Sequence, residues 1–148
     1  MERSAEETPS STGFERVHVE FEWYDGPRGG IADIDGVPHY FWALPGRGGG
    51  AEHRVWPLST EVLAMEREQW AIFIAWHDRF EAGTNPEEDH PVQGGVDARY
   101  DALEELLVPH RAVPKNAGVM RVEWRGNGAP KRYRLEGPAY EGRWRPLA

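Results

Sequence analysis

The run FERVHVEFEWY, residues 14 to 24, constrains the fold more than any other part of this chain. Its apolar and polar residues alternate strictly. Val17, Val19, Phe21 and Trp23 fall on one side, and His18, Glu20, Glu22 and Tyr24 on the other. A period of two is the signature of a half-buried strand, so the ordered part of the chain is predicted to begin with one. Gly26, Pro27, Gly29 and Gly30 then break the pattern. Two short apolar runs, IADI and VPHYFWAL, follow, joined by Asp35-Gly36. That dipeptide suits a two-residue hairpin turn because both positions tolerate positive φ.

Downstream, GRGGG at 46–50 is expected to be a flexible loop, and RVWPL adds a short strand. Ser59 or Thr60 is placed to cap a helix, with Glu61 in its first turn, where the helix dipole favours an acid. Val62, Met65, Gln69, Phe73, Trp76 and Phe80 recur at helical spacing, flanked by Leu63, Trp70 and Ile74. Gly83 and Pro86 end that helix. Asp97 caps a second, with Tyr100, Leu103, Leu106 and Leu107 inward and Pro109 as its stop. Three more strands are predicted at 119–124, 131–136 and 140–145, separated by GNGAP and GP. Strands, two helices, then strands is an α+β plan. The expectation is a mostly antiparallel sheet built from the N- and C-terminal strands and covered by the two central helices. Residues 1–13 carry no periodicity and are expected to be a disordered tail, leaving 14–148 as one domain.

Seven Trp, five Tyr and five Phe supply the core that a 39% apolar share would otherwise leave thin. The absence of cysteine excludes disulfides, thiolate metal sites and cysteine nucleophiles. No apolar run approaches the ~20 residues of a membrane span, and no leader pattern is present, so a soluble cytoplasmic protein is expected. Net charge is −8, which argues against general affinity for nucleic acid. The charge is unevenly spread. Residues 1–110 hold 8 basic against 22 acidic residues, and residues 111–148 hold 9 against 3. Placing both chain ends in one sheet would set Glu20 and Glu22 against Arg121, Arg125, Arg132, Arg134, Arg143 and Arg145.

Two places invite a functional reading. The stretch YDGPRGG could cradle an anion, with glycine-freed N–H groups forming a nest and Arg28 offering a two-pronged donor. Asp25 or Asp33 would orient the arginine, His39 would exchange a proton, and Tyr24 borders the group. The same residues also serve as a sharply turned hairpin, which is their first role here. The second place is the acidic surface of Glu81, Glu87, Glu88, Asp89 and His90, suited to a protein partner. Asp33-x-Asp35-Gly36 lacks the further acids of a calcium loop, and the six histidines are not spaced as local ligands, so neither metal nor cofactor is implied. Three of the four serines lie in the tail and the fourth reads as a helix cap, which leaves no serine nucleophile.

The pattern Y-D-G-P-R-x-G-x-A at 24–32, with G-x-P-H at 36–39, resembles a loose group of small bacterial proteins of unknown function. EQWAIFIAWHDRFEAG and HP…DARYDAL are similar to that group as well, so the resemblance covers residues 14–108. It implies a free-standing bacterial domain and no mechanism. The leading expectation is therefore a non-catalytic, adaptor- or immunity-like module that binds another protein. The alternative is a small-molecule or anion-binding protein, or an enzyme, with its pocket at the Asp25–His39 hairpins.

Overall fold

A computed structural model describes residues 13–45, 51–83 and 89–147. The predicted tail apart from Gly13, the GRGGG loop and residues 84–88 lie outside these. The strands are β1 (Glu15–Trp23), β2 (Pro27–Ile34), β3 (Val37–Ala43), β4 (Glu52–Pro57), β5 (Gly118–Gly126), β6 (Tyr133–Arg134), β7 (Gly137–Pro138) and β8 (Tyr140–Pro146). The helices are α1 (Thr60–Glu81) and α2 (Ala98–Leu107), with 3₁₀ turns at Pro91–Gln93 and Val108–Arg111.

The α+β plan holds, and both chain ends do share one sheet. That sheet does something its pattern did not announce: it closes. Six antiparallel strands form a barrel in the order β1-β2-β3-β4-β5-β8, while β6 and β7 make a separate small ribbon. Closure comes where β8 returns to β1, pairing Glu15 with Gly142 and Arg16 with Glu141. A closed sheet has no unpaired edge to satisfy.

The cause of the curl is visible in β1. Its pairing with β2 shifts register between Val17 and Val19, between Glu20 and Glu22, and again before Trp23. Such bulges bend a strand and increase its twist. They also break the predicted alternation. Val17 packs inside the barrel with Ala32, Phe41, Val55, Val122 and Trp144. Val19, expected on the same face, packs outside with Ile31, Tyr40 and Trp56 beneath the helices. His18, expected to face solvent, is buried at the bulge with Nε2 2.8 Å from Asp33 Oδ1.

Two close approaches in β2 depend on glycine. A Cβ on Gly29 would overlap the Trp42 ring, and one on Gly30 would overlap the Val19 carbonyl oxygen and press on Phe41. A backbone oxygen in a paired strand has nowhere to go. Gly30→Ala is therefore expected to cost about 1–3 kcal/mol, read by thermal denaturation. A melting temperature within about 1 °C of the wild type would refute this packing account.

The turn at Asp35-Gly36 forms as predicted, with φ of 53° and 78°. Glu15 accepts from both turn N–H groups at 2.8 Å. Ser59 caps α1 by accepting from Val62 N, and Asp97 caps α2 by accepting from Tyr100 N. The inward faces differ from expectation. Phe80 and Leu106, predicted as core, are exposed, whereas Glu66 on α1 is 1% exposed. Pro109 does not simply stop α2 but sits in the 3₁₀ turn that continues it.

The basic C-terminal strands find their counter-charges mostly next door. Among the described residues, Arg132 is the member of the expected set that pairs with Glu20, at 3.2 Å. Arg125 meets Glu141, Arg143 meets Glu123 and Arg121 meets Glu52 of β4. The register explains this, because β5 and β8 set Glu123 opposite Arg143 and Arg125 opposite Glu141. The arginines are thus matched across neighbouring strands, chiefly by acids of β4, β5 and β8.

Candidate functional site

Where helices cross the outside of a barrel, a gap opens wherever ring-sized side chains hold the layers apart. Here it is a cavity of about 630 Å³ between β1, β3 and β4 on one side and α1 and α2 on the other. Its floor is a row of rings. Phe21 of β1 stacks toward Tyr40 of β3 at 6.2 Å, and Tyr40 stacks on Trp56 of β4 at 5.4 Å. Between Phe21 and Tyr40 runs β2, whose Gly29 carries no side chain, and Trp42 lies across that position. Helix α1 contributes Trp70 and Phe73, and β6 contributes Tyr133.

At one end sits a buried polar cluster. Glu66 takes a two-pronged bond from Arg111, Nε to Oε2 and Nη2 to Oε1, both at 2.9 Å. Tyr40 donates its hydroxyl to the same carboxylate at 2.7 Å. Arg111 also donates to Gln69 Oε1 at 2.7 Å and to Glu104 Oε1 at 3.0 Å, while its guanidinium lies over Phe21 at 4.7 Å. Burial works against the Arg111 charge, but the bonds and charges of Glu66 and Glu104 outweigh it and raise its pKa. Burial, and then Glu66, drives the Tyr40 phenol well above its ordinary value, so it stays neutral.

The other end is built around Glu20, whose side chain is 7% exposed. Tyr133 and Tyr140 donate hydroxyls to its two oxygens at 2.7 and 2.8 Å. Burial, with Glu20 beside them, raises both phenols. Arg132 reaches the carboxylate from outside at 3.2 and 3.4 Å and stacks over Trp23.

The residues singled out in the sequence are not gathered here. Arg28 stands at one end of β2, with Nε bonded to the Tyr24 carbonyl, and Asp33 stands near the other. They are five positions apart along the strand, roughly 16 Å. Asp33 pairs with Pro38 in the register and holds His18, while His39 is opposite Ala32, whose side chain packs into the barrel. Asp33 and His39 therefore point to opposite faces of the sheet. Asp25 adopts a positive φ of 56° in the turn, and Tyr24 is exposed. Of the acidic surface, Glu81 and Asp89 are exposed and Glu87 and Glu88 lie outside the described residues. His90 turns inward, its ring 4.4 Å from Trp76, and borders the cavity.

Sequence reasoning missed Glu66, Glu104 and Arg111 as site residues and placed Tyr100 only as an inward residue of α2. Glu66 did leave a signal: it is four residues from both Val62 and Trp70, an acid on an apolar helical stripe. Arg111 left none, because it lies in a short connection whose path depends on the packing of α2. Among the described residues, no three His, Asp or Glu side chains gather as a metal cluster, and no helix is long and apolar enough to cross a membrane. Comparison with protein-family models, curated proteins and solved structures finds no match to this chain.

Proposed function

We propose that this protein binds a small organic molecule in the cavity between the barrel and its helices. The observation that supports this is the cavity itself, about 630 Å³ of ring-lined space bordered by the Glu66–Arg111 cluster and by Glu20. Binding sites for small molecules are of this size and composition, mostly apolar with a few fixed polar groups. Binding is favoured over reaction because the candidate acids and phenols are tied to one another. Glu66 is held by Arg111 and Tyr40, and Glu20 by Tyr133 and Tyr140. Groups so committed orient a ligand better than they exchange its protons. The proposal therefore prefers the small-molecule alternative to a protein partner at 81–90, and seats the ligand under the helices instead of at the Asp25–His39 hairpins.

Thermal-shift screening of uncharged, cationic and anionic compounds tests it, with Val113→Trp as the control variant. Val113 borders the cavity and is 41% exposed, so a larger ring there blocks the space without disturbing the core. A compound that raises the melting temperature of the wild type, but not of the variant, is the expected result. A hit that stabilises both equally binds elsewhere and removes the proposal.

A further inference from the structure

We infer that the cavity takes an organic cation with a flat aromatic body, its positive group seated against Glu20. This rests on the cavity reading above and names the class of molecule it admits. Three carboxylates, Glu20, Glu66 and Glu104, line the space against one guanidinium, that of Arg111. That guanidinium has little left for an anion: Nε and Nη2 serve Glu66, Nη2 also serves Gln69, and Nη1 serves Glu104. An anionic ligand would meet three acids without an uncommitted cation in the lining, and water-poor surroundings amplify such repulsion.

The two ends differ in what they can offer a cation. At the Glu66 end Arg111 is bonded to both Glu66 and Glu104, so a second positive charge there would meet a largely buried guanidinium. Glu20 is held by two phenols, Tyr133 of the cavity lining and Tyr140 of the barrel core, which carry no charge to oppose a ligand. The one cation paired with it among the described residues is Arg132, whose side chain is 44% exposed and whose contacts are the longer 3.2 and 3.4 Å. Three donor atoms reach this carboxylate, the two phenol hydroxyls and Arg132 Nη2 shared between both oxygens, and a carboxylate has about four lone-pair directions, so one further donor can be accepted. The rings beside it suit the same ligand. Trp70, Phe73 and Tyr133 stand 5.3 to 6.0 Å from one another, and aromatic faces attract cations while their area buries a flat body.

Isothermal titration of the full chain with three matched naphthalenes decides the matter: 2-naphthylmethylammonium, uncharged 2-naphthylmethanol and anionic 2-naphthylacetate. The ammonium is expected to bind about tenfold tighter than the alcohol, and the acetate weakest of the three. Glu20→Gln should bring ammonium and alcohol to equal affinity. Circular dichroism checks the fold of that variant, and if it unfolds, the three-way comparison on the wild type decides alone. Equal or tighter binding of the alcohol or the acetate, still blocked by Val113→Trp, overturns the cation assignment and leaves the cavity reading standing. No binding of any of the three overturns both.

Discussion

Arg111→Met is expected to lower folding stability by about 3–5 kcal/mol, among the largest single effects in this molecule. The reason is what remains after the substitution. Glu66 is 1% exposed and would keep the Tyr40 hydroxyl as its hydrogen-bond donor, having lost the charge that faces it. A buried carboxylate in that condition carries its desolvation cost uncompensated. Gln69 and Glu104 would each lose a donor as well. The double variant Glu66→Leu, Arg111→Met removes both charges together and should recover most of the loss, because replacing a buried pair by apolar groups is often neutral. Urea denaturation of the two variants beside the wild type reads both effects. A loss below about 1 kcal/mol for Arg111→Met would mean that Glu66 is well solvated after all. A double variant as unstable as the single one would show that the network stabilises by more than relieving its own burial.

The second large effect is an acid sensitivity that originates inside the barrel. His53 is fully buried among Phe41, Trp124 and Trp144, whose ring centroids lie 5.5 to 5.9 Å away. Neither of its ring nitrogens makes a hydrogen bond of ordinary geometry among the described residues, although the backbone of Ala51 and Pro27 lies close enough for a weaker polar contact. Burial pushes the imidazole down from its ordinary 6.5 to about 4, and the nearby backbone of Ala51 and Pro27 only tempers the shift. Between those two values the unfolded chain binds a proton that the folded chain refuses. Stability from this residue is therefore complete above pH 6.5 and declines as the pH falls toward 4, by roughly 3 kcal/mol at pH 4. His53→Leu should abolish that share of the slope, since nothing is left to titrate, while keeping a similar volume in the core. The measurement is the difference between variant and wild-type unfolding free energies at pH 7 and pH 4, which cancels the other titrating groups. A difference that does not change with pH would sink the assignment. Proton uptake at His53 would also disrupt the core that positions Phe41 behind the cavity floor, so ligand binding and acid stability are expected to fail together below about pH 4.

How much of this was legible beforehand differs from element to element. The Asp35-Gly36 turn, the Ser59 and Asp97 caps and the strands of both chain ends follow from local rules, in which a few adjacent residues set the backbone. The pairing of Glu20 with Arg132 was within reach of the charge distribution. The cavity was not. It depends on Glu66, Arg111 and Tyr40 meeting from three separate elements, on Glu20 meeting Tyr133 and Tyr140, and on Gly29 lying under Trp42. The hairpin residues that looked most like a site, Asp25, Arg28, Asp33 and His39, were grouped by nearness in the chain, and the pleat of β2 and β3 then sends them to different ends and faces.

What the amino-acid order determined alone is the inventory and type of elements: strands, two capped helices, strands, with aromatic rings as the material of the core. What tertiary structure decided is which way the side chains point. The bulges in β1 move Val17 and Val19 to opposite sides of the sheet and bend it until β8 meets β1. A bulge inserts one residue against a partner strand, so its presence is a property of the pair and is not written in either strand taken singly. From that one displacement come the closed barrel, the second core beneath the helices, and the ring-lined space between them.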